Sequence, residues 1–135
     1  MTLSIFCDGG ARGNPGPAAY GFVIKKNGQI IKREGGTLGV ATNNFAEYTA
    51  LIKALGWLAE NYQGQDLEVR MDSKLVVSQL SGIYKVKDAR IRELVFEVRT
   101  LENQFGQIKY IHIAREQNWE ADQMVNQALD SQFEI

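Results

Sequence analysis

The sequence contains a single cysteine, Cys7, so an internal disulfide is excluded. A chain of 135 residues buries roughly two thirds of its unfolded surface without such a link, and one domain over residues 1–135 is expected. No apolar run approaches the roughly 20 residues that span a bilayer. The first residues also lack the basic start and long apolar core of a signal peptide. These absences favour a cytoplasmic protein in a reducing compartment, with no membrane partner.

An excess of charge of one sign is also missing. Fifteen Lys and Arg residues stand against 16 Asp and Glu residues, for a net charge of −1. This balance argues against a protein that coats nucleic acid by bulk electrostatics, although a local basic surface could still hold a short stretch. The glycine-rich segment 9–17 lacks the Gly-Lys-Ser/Thr ending of a phosphate-binding P-loop. Nucleotide-phosphate chemistry of the P-loop type is therefore excluded.

Four acids stand in polar or turn-forming surroundings where predicted strands end or helices begin. A cluster of unpaired carboxylates is costly to bury and repels itself. Hard divalent cations such as Mg²⁺ or Mn²⁺ relieve that cost, because they prefer oxygen ligands. Any one acid could equally be a helix cap or a surface charge, so only the set indicates metal-dependent phosphoryl chemistry. The four acids are Asp8, Glu47, Asp72 and Asp122.

The periodicity of apolar residues predicts the element order β-β-β-α-β-α-α-β-α. The Asn27-Gly28 pair predicts a hairpin between the second and third strands, and Asn118 is a good N-cap for the last helix. We expect an α/β fold in which an antiparallel meander joins a mixed five-stranded sheet with helices on both faces. Predicted strands cover 3–8, 19–25, 29–37, 67–72 and 108–113, and predicted helices cover 43–61, 73–80, 88–104 and 118–129.

Over essentially its whole length the chain resembles ribonuclease H of type 1 (ribonuclease HI). The matching segments are DGGARGNPGP at 8–17, TNNFAE at 42–47, DS at 72–73 and REQNWEAD at 115–122. The resemblance implies a ribonuclease H-like fold and hydrolysis of the RNA strand of RNA–DNA hybrids, leaving 5′-phosphate and 3′-hydroxyl ends. It implies two Mg²⁺ ions per site with substrate bound, with Mn²⁺ as a possible substitute. It also implies that Asp8, Glu47, Asp72 and Asp122 are both the catalytic and the metal-binding residues.

Recognition of the hybrid requires groups that sense a ribose 2′-hydroxyl, the feature that separates RNA from DNA. Glycine backbone can approach the substrate closely, and asparagine amides both donate and accept. In the family the matching positions line the groove that holds the substrate. The residues to which the resemblance assigns substrate contacts here are Gly9, Gly10, Asn14, Thr42, Asn43, Asn44 and Lys74.

Two departures from the family pattern affect the substrate-binding residues. Larger members carry a basic helical insertion that holds the hybrid, whereas here only segment 81–87 joins two helices. We hypothesise that Tyr84, Lys85 and Lys87 perform a reduced version of that role. Many members also carry a histidine in the loop before the last acid. Here Arg115 is nearest that loop and is assigned a substrate contact, while the assisting role stays open between it and His112.

Two other classes of function remain open. One is a different nuclease or a strand transferase on the same fold, since a fold does not fix a function. The other is a non-catalytic nucleic-acid-binding module, although such modules usually lose acids and all four are present here. No obligate protein partner is evident, and a monomer is expected. Activity on double-stranded RNA is not decided by the sequence.

Overall fold

The computed structural model describes residues 2–131 and shows the predicted element order. Within that range the chain forms five strands, four α-helices and one turn of 3-10 helix at Arg115–Asn118. The predicted α/β class with a mixed sheet is therefore confirmed. The strands are β1 (Thr2–Ala11), β2 (Gly16–Lys26), β3 (Gln29–Ala41), β4 (Asp66–Met71) and β5 (Ile108–His112), and the helices are α1 (Asn43–Asn61), α2 (Lys74–Leu80), α3 (Ala89–Glu102) and α4 (Trp119–Ser131).

The sheet has the strand order β3-β2-β1-β4-β5. β2 pairs antiparallel with both β1 and β3, whereas β4 pairs parallel with both β1 and β5. In the β1–β4 ladder Cys7 lies opposite Met71. The residues that follow this pair, Asp8 within β1 and Asp72 directly after β4, therefore lie at the same edge of the sheet.

One face of the sheet carries most of the hydrophobic core. The helix α1 begins at the cap residue Thr42, whose hydroxyl accepts a hydrogen bond from the Phe45 N–H. Its buried residues recur at spacings of three and four, which places them on one side of the helix. They pack on β1 and β2, and α3 packs beside α1. Fully buried members of this cluster include Leu3, Ile5, Phe22, Ile24, Tyr48, Leu51, Leu55 and Leu58.

The opposite face is covered by α4, which packs on β2 and β3. Side chains alternate between faces along a strand, so Ala19 faces α4 while Tyr20 and Phe22 face α1. The cluster under α4 is small: Ala19 packs there with Val125 and Leu129. No helix within residues 2–131 is both long and apolar enough to cross a membrane.

Three strands are longer than predicted, and β2 begins at Gly16, three residues before its predicted start. β1 continues past Asp8 because its pairing with β2 runs on to Ala11 opposite Ala18. β3 continues to Ala41, which pairs with Gly16. The glycine-rich segment 9–17 lies outside the predicted strands, but backbone pairing holds Gly9 and Gly10 in β1 and Gly16 in β2.

The predicted capping role of Asn118 is wrong. α4 does begin at the next residue, but the Asn118 amide donates to the Cys7 carbonyl oxygen at 2.8 Å. Its Oδ1, the atom that would cap a helix, has no hydrogen-bond partner among the described residues. The side chain is instead buried against the end of β1, with 1% of its surface exposed.

Candidate active site

Three of the four acids converge at the carboxyl edge of the sheet. Asp8 lies in β1, Asp72 directly follows β4, and Glu47 lies in the second turn of α1. One carboxylate oxygen from each of the three lies within 4.8 Å of the others. Asp8 and Glu47 are 5% and 7% exposed, so this cluster is largely shielded from water.

The first turns of α1 reach this cluster because Gly9 has no side chain. A Cβ atom built at Gly9 would lie 2.3 Å from the backbone carbon of Ala46 and from the backbone nitrogen of Glu47. Only glycine therefore allows α1 to pack against the end of β1. The neighbouring Asp8 and Glu47 carboxylates meet as a result.

The fourth acid, Asp122, approaches the cluster from α4. The helix backbone lies against β2 at Gly21, where a Cβ atom would stand 2.6 Å from the Ala121 carbonyl oxygen. The Asp122 carboxylate accepts a hydrogen bond from Asn126 Nδ2 at 3.2 Å and lies 3.6 Å from Arg115 Nη2. Its side chain is 32% exposed. Asp122 thus completes the edge of the cluster from the more open side.

Burial and mutual repulsion change the ionisation of the two deepest acids. Burial first, then the Asp72 charge and the neighbouring Asp122 carboxyl, raises the pKa of Asp8 to about 8. Burial and the Asp72 charge likewise raise the pKa of Glu47 to about 7, although a Ser73 hydrogen bond and the Arg115 charge act in the opposite direction. Such a site favours a cation, because a cation stabilises the ionised carboxylates.

The donor set fits a hard divalent cation. The cluster of Asp8, Glu47 and Asp72 offers carboxylate oxygens only, the ligand type that Mg²⁺ and Mn²⁺ prefer. In the same region burial raises the pKa of the Cys7 thiol, and Asp8 adds to the rise. Cys7 is therefore a buried apolar residue and not a metal ligand.

The cluster opens into a cavity of about 570 Å³. This cavity is lined by all four acids and by five of the residues that are predicted to contact substrate. Arg12 and Asn126 also line it, and the sequence analysis assigned neither a role, although Arg12 lies in the segment 8–17 that contains Asp8. The predicted contact residues in this cavity are Gly9, Gly10, Asn43, Asn44 and Arg115.

A second groove, of about 610 Å³, shares Asn43 and Asn44 with the first cavity. Asn14 and Thr42 lie here. The Asn14 side-chain oxygen accepts from the Asn43 N–H at 3.0 Å, and the Asn43 side-chain oxygen accepts from the Ala11 N–H at 2.8 Å. These bonds fix both amides between β1 and the start of α1.

The other predicted contact residues lie outside both cavities. Lys74, Tyr84, Lys85 and Lys87 are exposed, and none of these four lines either one. His112 is also exposed, at the end of β5 opposite Met71. Segment 81–88 joins α2 to α3 without a helix of its own.

Comparison with known proteins identifies the family. Residues 6–128 match a family model described as reverse transcriptase-like. Ribonuclease HI of Halobacterium salinarum is 43% identical over 93% of this chain and 63% of its own length. The bifunctional protein Rv2228c of Mycobacterium tuberculosis is 41% identical over 97% of this chain. The chain spans only 36% of that mycobacterial protein.

Solved structures agree with this placement. LC11-RNase H1, in complex with an RNA/DNA hybrid, is 39% identical, with a TM-score of 0.94 over 98% of this chain and 99% of its own. The RNase H1 of Halobacterium salinarum has a TM-score of 0.91 at 41% identity, over 97% of this chain and 99% of its own. The chain belongs to the ribonuclease H type 1 branch of the reverse transcriptase-like family, in a small form without the helical insertion.

Proposed function

We propose that this protein is a metal-dependent endoribonuclease that cleaves the RNA strand of RNA–DNA hybrids, leaving 5′-phosphate and 3′-hydroxyl ends. The observation that carries the proposal is the convergence of the Asp8, Glu47 and Asp72 carboxylates within 4.8 Å at the floor of an open cavity. Support also comes from relatives named ribonuclease HI and from the similar LC11-RNase H1, whose structure contains an RNA/DNA hybrid.

The residues that would hold metal are the four acids. Asp8 would contact both of two ions, Asp122 would complete one site, and Glu47 with Asp72 would complete the other. When bound, Mg²⁺, or Mn²⁺ in its place, would supply positive charge that neutralises the scissile phosphate and promotes deprotonation of the attacking water. Asp8, Glu47 and Asp72 offer carboxylate oxygens within 4.8 Å of one another, and Asp8 and Glu47 are buried, which supports this assignment.

The protein's own contribution is position and electrostatics. Because Gly9 lets α1 pack on β1, Glu47 is held beside Asp8 before any substrate arrives. The raised pKa values of Asp8 and Glu47 mean that both carboxyls release protons when a cation binds. No side chain has to move to assemble this cluster.

Substrate contacts are proposed along the two cavities. Gly9 and Gly10 present backbone at the first cavity, where a ribose could approach closely. Asn14 and Asn43 have their oxygens committed to backbone N–H groups, so their NH₂ groups are the ones offered to a 2′-hydroxyl. Thr42 and Asn44, at the start of α1, would contact sugars or phosphates and set the register of the duplex.

Four residues outside the cavities, together with Arg115, are proposed as peripheral contacts. Arg115 lies at the rim, with its side chain 76% exposed beside Asp122, where a phosphate could compete for it. Lys74 is the first residue of α2, two positions after Asp72, and the other three residues lie in the connection between α2 and α3. The residues proposed to replace the missing insertion are Tyr84, Lys85 and Lys87.

We also propose that the enzyme works as a monomer in the cytoplasm, without an obligate protein partner. The buried thiol of Cys7 fits a reducing compartment. Mass measurement by light scattering at micromolar concentration tests the monomer, and a dimer under those conditions would contradict it.

The test of the activity is cleavage of end-labelled RNA in an RNA–DNA hybrid, with Mg²⁺, with Mn²⁺ and with chelator. Single-stranded RNA, double-stranded RNA and double-stranded DNA serve as competing substrates, and Asp72→Asn is the inactive control. We expect metal-dependent cutting of the hybrid. A folded protein that cuts only DNA would indicate a different nuclease on this fold, and one that binds without cutting would indicate a non-catalytic module.

A further inference from the structure

Asn118 is a buried polar residue that contacts the acid cluster from the turn before α4. Its amide nitrogen donates to the Cys7 carbonyl oxygen at 2.8 Å and to Asp72 Oδ2 at 3.4 Å. Cys7 directly precedes Asp8 and ends the β1–β4 ladder. One NH₂ group therefore bridges the backbone beside Asp8 and the side chain of Asp72.

The orientation of this amide follows from its neighbours. A carbonyl oxygen and a carboxylate can only accept hydrogen bonds, so only the NH₂ end of Asn118 can face them. The Asn118 Oδ1 is consequently left without a donor among the described residues, although the side chain is 1% exposed. A buried, unpaired acceptor is unfavourable for stability. Fold stability alone does not account for an asparagine here.

We infer that Asn118 is a positioning residue that orients the Asp72 carboxylate toward Asp8 and Glu47 for metal binding, an inference that rests on the proposed metal-dependent cleavage. The hydrogen bond holds one Asp72 oxygen and thereby fixes the direction of the other. An aspartate at this position would place a second negative charge beside Asp72, and an apolar residue would donate to neither the Cys7 carbonyl nor Asp72. The amide is the one group of this size that serves both acceptors.

The first experiment compares Asn118→Leu with a destabilised control, Val98→Ala. Leucine matches asparagine in size but donates nothing, and Val98 is fully buried in α3 away from the acids. Hybrid cleavage is measured against Mg²⁺ concentration, and the Mg²⁺-induced rise in Tm is measured without nucleic acid. For Asn118→Leu we expect the half-effect Mg²⁺ concentration to increase about tenfold or more in both measurements. KM for the hybrid at saturating Mg²⁺ should stay within about twofold.

The control separates positioning from loss of stability. Val98→Ala should lower Tm and leave the half-effect Mg²⁺ concentration unchanged. If Asn118→Leu behaves in the same way, with a lower Tm and wild-type Mg²⁺ dependence, the residue is structural and the inference fails.

A measurement on the wild-type protein covers the case in which Asn118→Leu does not fold. The side-chain NH₂ resonances of Asn118 are followed by NMR during Mg²⁺ titration, with Asn103 at the end of α3 as the reference. We expect the Asn118 resonances to shift in step with the Asp72 backbone amide. Mg²⁺-dependent shifts at Asp72 without any at Asn118 would overturn the inference. A shifting Asn118 in a protein that cuts no hybrid would instead refute the proposed function and leave the positioning role standing.

Discussion

The two helices that bring an acid to the sheet from opposite faces differ in how they are held. α1 buries eight of its 19 residues and carries Glu47 at 7% exposure. α4 buries three of its 13 residues and carries Asp122 with its side chain 32% exposed. Both depend on a glycine of the sheet, Gly9 for α1 and Gly21 for α4.

This difference in packing distinguishes two buried acids, Asp8 and Glu47, from one partly exposed acid, Asp122. Asp8 and Glu47 lose their hydration when the protein folds, so their ionised forms are disfavoured until a cation binds. Asp122 stays in contact with solvent and with Arg115. The carboxylate group therefore has a different energetic role at each depth. The buried acids Asp8 and Glu47 favour binding of a cation, whereas Asp122 lies where the site meets solvent and, in the proposed function, the substrate.

The largest expected effect separates activity from stability. Asp72→Asn and Asp122→Asn should each reduce hybrid cleavage by about a hundredfold or more, because the loss of a charged ligand removes electrostatic stabilisation at the reacting phosphate. Only Asp72→Asn should raise the Tm of the metal-free protein clearly, since it removes the charge that repels both Asp8 and Glu47. Circular dichroism and single-turnover kinetics measure the two effects. A sharp fall in Tm for Asp72→Asn would contradict a metal-site role.

The next effect tests the contact between α1 and β1. Gly9→Ala should destabilise the protein by about 3 kcal/mol or more, because its Cβ would overlap the backbone of Ala46 and Glu47. Gly56→Ala is the matched control inside α1: its Cβ would meet nothing within 4 Å, and it should stabilise the helix by about 0.5–1 kcal/mol. Urea unfolding measures both. Equal effects at the two positions would show that α1 is not held at Gly9.

A smaller effect follows from pH. The pKa of Asp8 is raised from 3.8 to about 8 and that of Glu47 from 4.5 to about 7, so protonation stabilises the folded state. This stabilisation is fully present below the ordinary pKa values of the two acids, and it is lost as pH rises through their raised pKa values in the folded state. We expect the metal-free Tm to fall between pH 5 and about pH 8. The Mg²⁺-induced rise in Tm should grow over the same window.

The variant Glu47→Gln is the control for that titration. It should flatten part of the decline, because one of the two acids no longer ionises, while Asp130→Asn at the exposed end of α4 should leave the curve unchanged. A metal-free Tm that rises from pH 5 to pH 8 would contradict the burial argument.

The smallest effect concerns the connection after α2. The double variant Lys85→Ala/Lys87→Ala should raise KM for the hybrid about threefold to tenfold and leave kcat nearly unchanged, because exposed cations contribute to binding without touching the reacting phosphate. Steady-state kinetics at two salt concentrations measures this, with the difference shrinking at high salt. An unchanged KM would remove these residues from the proposed substrate surface.

Sequence patterns were sufficient for the order of elements and for part of the acid cluster. Asp8 and Asp72 each follow a member of the last residue pair in the β1–β4 ladder, Cys7 and Met71, so the sheet topology brings them together. Glu47 extends the apolar side of α1, and helical periodicity placed it at the sheet. The approach of Asp122 was not derivable in this way, because it depends on α4 packing on β2 at Gly21, a contact between residues about one hundred positions apart.

Asn118 shows why local signals fail where the site is assembled. In sequence it has the chemistry and position of a helix cap, and α4 does begin at the next residue. In the fold its donors meet two acceptors from β1 and from the end of β4, which no local pattern reveals. Long-range hydrogen bonding overrode the local preference.

The dispersal of the acids along the chain has a consequence for synthesis. Asp8, Glu47 and Asp72 lie within residues 1–72, but Asp122 and Asn118 lie near the end of the described range. During translation the first three strands could form early, whereas β5 and α4 emerge after them. A nascent chain therefore holds an incomplete set of ligands until residue 122 has left the ribosome. The proposed nuclease activity, which needs all four acids, would therefore be absent until that stage of translation.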